Sequence, residues 1–194
     1  MELSKKECIL SAAAKIFGRF GFRKTSVNEI AESAGVAKGT VYLACDSKED
    51  LFFQVLHRDV REWVAAASLR IDPRARADTS FEPVLAASLE LLDKHPLVGE
   101  LLSGKVDATM PGWESRLSEL RALARSHLEE LLRLGVRQGV LRERTEPAEV
   151  ARVVQDLMVA AVRTPGEPAS SQSARQRLAT GIELILAGLR VPAA

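Results

Sequence analysis

Residues 27–42 read VNEIAESAGVAKGTVY, and their spacing leaves the chain few choices. Ala31, Gly35 and Val41 fall at offsets of four and then six residues. A small residue lets a second helix approach closely, and a glycine takes the left-handed backbone that ends a first helix. Val36 and Val41 then lock the pair onto a core shared with Ile30. The segment predicts two short helices, around 27–34 and 38–43, crossing steeply through a tight turn.

Helix start signals divide the rest of the first half. Ser4/Glu7, Ser26/Glu29, Ser47/Asp50 and Thr79/Glu82 each place a hydroxyl three residues before an acid, so that both side chains satisfy orphan N–H groups. Ile9, Ala13, Ile16, Phe17 and Phe20 then recur at helical spacing until Gly18 and Gly21 weaken and end the run. After Ser47, one stripe carries Leu51, Phe52, Val55, Leu56, Val60, Trp63 and Val64, a longer helix suited to bridging two domains. Residues 71–80, with Pro73 and few apolar side chains, read as a surface loop. Residues 81–93, 96–106, 113–136 and 147–163 have helical periodicity, and 164–173, rich in Pro, Ser and Gly, reads as a flexible connection. A last helix carries Leu178, Ile182, Ile185 and Leu189 on one face. No segment reads as a strand. The expected fold is all-α, with an N-terminal three-helix helix-turn-helix domain over residues 1–47 joined to a larger helical domain over 48–194.

Composition excludes several classes. A chain of 194 residues can bury a core without disulfides or metal. Its two cysteines, Cys8 and Cys45, lie in helical patterns and form no C-x-x-C pair, so neither a bridge framework nor a zinc site is indicated. The charged N-terminus lacks the apolar core of a signal peptide. The longest apolar stretches, 157–162 and 182–191, fall well short of the roughly 20 residues of a membrane span. A cytoplasmic protein outside the membrane is expected. His57, His95 and His127 stand at no triad or metal spacing and read as surface, loop or helix histidines. Residues 99–105, GELLSGK, match a phosphate-binding loop in spacing, yet Val106 replaces the magnesium-binding hydroxyl and no strand precedes them. The chain is expected to be no enzyme and to carry no cofactor and no metal.

Net charge is only +1, which argues for no nucleic-acid partner by itself. Residues 1–45, however, carry seven Lys and Arg against four Glu. In a helix-turn-helix the second helix enters the major groove while flanking hydroxyls and cations hold phosphates. Here that helix offers Lys38, Gly39, Thr40 and Tyr42: a cation for guanine or phosphate, a glycine allowing close approach, and two hydroxyls. Thr25 and Ser26 precede the first helix of the pair, Ser26 as its cap and both as phosphate candidates. Lys48 is a candidate phosphate clamp. The alternative is a helical interaction module without DNA binding.

Residues 9–55 resemble the DNA-binding domain of the TetR family of transcriptional regulators. The resemblance rests on AAxxxF-xxxGF-xxTS ending at Thr25 and Ser26, on IAxxAGVxKGTxY over 30–42, and on SKEDL over 47–51. It departs from the family after Tyr42, where Leu43, Ala44, Cys45 and Asp46 stand in place of a polar ring or amide and two aromatics. This removes an expected phosphate contact and shrinks the packing beneath the second helix. The resemblance implies a homodimeric repressor on a palindromic operator, with a C-terminal ligand-binding and dimerisation domain that releases DNA on binding a small-molecule inducer. Two recognition helices related by a two-fold axis would lie about one DNA turn, roughly 34 Å, apart. By the same resemblance the last two helices form a dimer bundle through Val150, Val154, Leu157, Ala161, Leu178, Ile182, Ile185 and Leu189. Trp63, Phe81, Leu89, Leu102, Met110, Trp113, Leu117 and Met158 are candidate pocket residues, with Pro111 and Gly112 at the mouth. Few charges enter those stripes, so an apolar or aromatic inducer is expected.

Overall fold

The computed structural model describes residues 4–161 and 171–191. The expected connection at 164–173 lies outside the described residues as far as 170. The first helix, α1 (Lys5–Lys24), starts where its sequence signal places it: Ser4 Oγ accepts the Glu7 N–H at 3.2 Å, and the Glu7 carboxylate accepts the Ser4 N–H at 3.4 Å. Such a cap is worth about 1 kcal/mol. Gly21, at φ 76°, breaks α1 without ending it.

α2 (Val27–Ser33) and α3 (Lys38–Ala44) follow, then α4 (Lys48–Ser68), whose first turn is capped by Ser47 Oγ. α4 touches α1 on one side and three later helices on the other: α5 (Ala77–Lys94), α6 (Pro96–Leu102) and α7 (Glu114–Arg137). Phe17 and Phe22 of α1 meet Phe52 of α4 at ring separations of 5.0 and 5.2 Å, so an aromatic cluster binds the N-terminal helices to α4. α8 (Pro147–Ala161) packs on α7, and α9 (Gln172–Leu189) packs on α5 and α8. Among the described residues there is no strand, only an isolated bridge between Leu141 and Arg190. No helix among them is long and apolar enough to cross a membrane.

Two sequence expectations need correction. α5 begins at Ala77, within the stretch read as loop, and Thr79 does not cap it. The Thr79 hydroxyl donates to the Arg76 carbonyl at 2.7 Å, while Gln138 Oε1, 61 residues away, accepts the Ala77 N–H at 2.8 Å. The start is set by a tertiary contact that local spacing cannot report. α6 stops at Leu102, and residues 103–111 form successive turns rather than helix.

Candidate nucleic-acid interface

α2 ends in a Schellman motif: the N–H of Val36 bonds to Ala31 O at 3.0 Å and that of Gly35 to Glu32 O at 3.1 Å. This requires Gly35 in the left-handed region, and its φ is 66°. The chain then turns so that α3 rests on Val41, Ile30 and Ala31, all buried. Ser26 Oγ accepts the Glu29 N–H at 3.3 Å, and the Glu29 carboxylate accepts the Ser26 N–H at 2.7 Å. That backbone hydrogen bond, followed by the Ser26 hydroxyl, holds Glu29 below the usual carboxylate range.

The outward face of α3 carries the side chains of a groove reader. Lys38 and Gly39 are exposed, Thr40 is half-buried, and Tyr42 is 47% exposed. Leu43, 89% exposed, adds an apolar side chain to the same surface. Beneath it Cys45 is buried and its thiol contacts Val41 O at 3.3 Å, so a small side chain fills the space under α3. Burial, then the neighbouring carboxylates of Asp50 and Asp46, pushes the Cys45 thiol pKa up, away from reactivity.

Two candidate contacts are placed differently from the expectation. Thr25 is only 3% exposed, and its hydroxyl donates to Gly21 O at 2.8 Å. Its side chain is tied to the break in α1. Lys48 Nζ donates to Phe22 O and Thr25 O, both at 3.0 Å, and lies over the Phe22 ring. It closes the C-terminal end of α1. Sequence reasoning missed Arg58, which reaches from α4 to Ser11 Oγ at 3.2 Å and Leu10 O at 3.3 Å on α1. No local signal marks it, because its partners lie 47 and 48 residues back.

In the larger domain, Trp63, Phe81, Leu89, Met110, Leu117 and Met158 are buried, while Leu102 and Trp113 are half-buried. They pack as core: between Leu92, Leu102 and Met158 only about 10 Å³ is open. A groove of about 680 Å³ lies instead between α5 and α9, over Leu85, Leu89, Leu178 and Ile182, and Leu89 alone of the expected pocket residues lines it. Buried polar groups stand at the centre of the core. Trp63 Nε1 donates to Ser88 O at 3.0 Å, and the Ser88 hydroxyl lies 3.3 Å from His127 Nε2. Burial lowers the His127 pKa to about 4, so its imidazole is neutral near pH 7.

Burial within the protomer divides the residues of the expected dimer stripes. Val154, Ala161, Leu178 and Ile182 are buried inside the protomer, whereas Val150, Leu157, Ile185 and Leu189 are half-buried. The outward apolar side chains of α8 and α9 are Val153, 51% exposed, and Leu184, 71% exposed. Each helix thus turns one large apolar side chain outward as well as a buried stripe inward.

A capped, glycine-turned helix pair presenting an exposed second helix defines a DNA-binding protein of the helix-turn-helix class. Residues 9–55 match the model of the bacterial regulatory proteins of the tetR family. The chain is 24% identical over 162 residues to the uncharacterized helix-turn-helix regulator YhgD of Bacillus subtilis, covering 84% of each chain. It is 26% identical over 191 residues to the transcriptional repressor KstR2 of Mycobacterium tuberculosis, covering 96% of this chain and 93% of KstR2. The fold is shared with the crystal structure of FadR from Bacillus subtilis in complex with stearoyl-CoA, at a TM-score of 0.73 and 19% identity, over 94% of this chain and 98% of that one. Residues 9–55 are a DNA-binding domain similar to those of the tetR family, and the chain is a DNA-binding transcriptional regulator.

Proposed function

We propose that the chain is a cytoplasmic, homodimeric repressor that binds a pseudo-palindromic operator and leaves it when a small apolar or aromatic molecule binds. Its role is regulation rather than catalysis. Residues 1–47 form the DNA-binding domain and 48–194 the ligand-binding and dimerisation domain. The carrying observation is the exposed face of α3, with Lys38, Gly39 and Tyr42 outward on a buried Val41. Lys38, Gly39, Thr40 and Tyr42 meet base edges and phosphates, and Ser26 with the adjoining backbone holds a phosphate at the start of α2. Thr25 and Lys48 act behind them by fixing the approach of α1.

The inducer enters past Pro111 and Gly112 and is taken up among Trp63, Phe81, Leu89, Leu102, Met110, Trp113, Leu117 and Met158, with His127 and Ser88 as polar contacts. Those side chains are close-packed, so uptake forces helices apart and tilts α4, which changes the separation of the two α3 helices. That KstR2 is named a repressor supports repression, and the stearoyl-CoA held by FadR supports a lipophilic ligand.

The test is a gel shift with the full chain on DNA flanking its own gene, followed by footprinting. Protection of two half-sites about one helical turn apart, lost with Lys38→Ala together with Tyr42→Ala, is the expected result. Equal retention of every duplex, or of none, overturns the reading.

A further inference from the structure

The three histidines stand at no metal spacing in the sequence, but the fold brings one of them against two acids. Asp59 and Glu62 lie one turn apart on α4, and His95 sits at the corner between α5 and α6. One donor atom from each lies within 4.8 Å of the other two, the only such group of three among the described residues. The His95 backbone is pinned: its N–H bonds to Leu91 O and Leu92 O, and its carbonyl accepts from Val98 and Gly99. Its ring offers a nitrogen to the group.

Asp59 supplies an independent observation. It is 6% exposed, and its carboxylate is met by the Arg58 guanidinium. The Arg58 contact is long, at 3.5 Å, and that guanidinium is drawn toward α1 by Ser11 and Leu10. Arg58 Nε, 3.6 Å from Glu62, is buried without an acceptor. A buried carboxylate so poorly compensated is costly, and a coordinated cation is one of the few things that offsets it.

We propose that Asp59, Glu62 and His95 form a binding site for a divalent transition-metal ion that clips α4 to the α5–α6 corner. Ligand atoms around an ion at about 2.1 Å stand roughly 3–4 Å apart, so closure needs only rotation of the exposed Glu62 and a small turn of the imidazole. One imidazole with two carboxylates suits Zn²⁺, Mn²⁺, Fe²⁺ or Co²⁺ better than Mg²⁺ or Ca²⁺, which prefer oxygen alone. Three protein ligands leave a position for water. The place has consequences, because Pro96, beside His95, packs over Gly18 of α1. The ion would join the two helices on which α1 rests, and would compete with Arg58 for its carboxylates.

The experiment uses the full chain, freed of metal by chelator and dialysis, with neither operator nor inducer, so it stands apart from the repressor reading. Co²⁺ is followed by its visible absorption and Zn²⁺ by calorimetry and thermal melting. The expected result is one ion per chain, with affinity falling about tenfold or more in Glu62→Gln and in His95→Gln. His57→Gln, a control on another α4 histidine, leaves binding unchanged. Zinc raises the melting temperature of the wild type but not of the Glu62→Gln/His95→Gln double variant. Wild-type binding no tighter than that of the double variant, or an equal loss in His57→Gln, overturns the proposal.

Discussion

Lys48 closes the end of α1 through Phe22: its ammonium donates to the Phe22 carbonyl at 3.0 Å and stands 4.2 Å above the Phe22 ring. The same ammonium bonds Thr25 O at 3.0 Å, so the first residue of α4 holds the entry to α2. Its charge is spent on carbonyls at a helix C-terminus, where a cation is favoured.

Lys48→Met keeps the aliphatic stem and loses both hydrogen bonds, at a cost of about 1–2 kcal/mol for a half-exposed group. Operator affinity falls because the helix-turn-helix is held less firmly. The slope of log affinity against log salt stays as in the wild type, whereas Lys38→Ala flattens it by about one unit. Anisotropy titrations across a salt series separate the two. A Lys48→Met slope reduced by one would return Lys48 to the phosphate contacts.

Gly35→Ala tests the turn. No atom would obstruct a Cβ there, so the penalty is purely one of backbone conformation at φ 66°. The left-handed region costs a non-glycine residue about 1–2 kcal/mol. Thermal melting should fall by about 2–8 °C for a chain of this size. Gly35→Asn should lose less, since asparagine tolerates that region, and identical losses in the two variants would point to another cause.

His127 predicts an acid limb. Its folded pKa, about 4, lies below the ordinary histidine value of 6.5, so the unfolded chain binds the extra proton first as pH falls. Stability on this account is complete above pH 6.5 and declines between pH 6.5 and about 4. The full span is of order 3 kcal/mol. Denaturant titrations of wild type and His127→Gln at pH 7.5 and 5 measure it: the variant should lose the His127 share of the pH dependence. A curve as steep as the wild type's would assign the limb to other groups.

α8 and α9 offer two outcomes from substitutions of similar chemistry. Leu184→Glu, on the exposed face, should shift the dimer–monomer equilibrium by at least tenfold in sedimentation, with the protomer still folded. Leu178→Ala, on the buried face, should instead destabilise the protomer by about 2–5 kcal/mol. Dissociation by Leu178→Ala without loss of melting temperature would mean that the interface uses the inward stripe.

Local interactions were legible. The caps at Ser4, Ser26 and Ser47, the left-handed turn at Gly35 and the inward Val41 involve neighbours within six residues, and local spacing reports such contacts directly. The larger domain was legible in class but not in detail. α5 takes its start from Gln138, and α8 and α9 each turn a large apolar side chain, Val153 and Leu184, out of the protomer.

What the sequence by itself determined is the all-helical class and the helix-turn-helix with its outward recognition helix, because the contacts that specify them lie within a turn or two along the chain. Only the tertiary structure decided that Lys48 and Thr25 serve α1, that the expected pocket side chains close into core, and that His95 meets Asp59 and Glu62. Lys48 stands 23 positions from Thr25, and His95 stands 33 and 36 positions from Glu62 and Asp59, so their meeting follows from how helices pack, which periodicity does not encode.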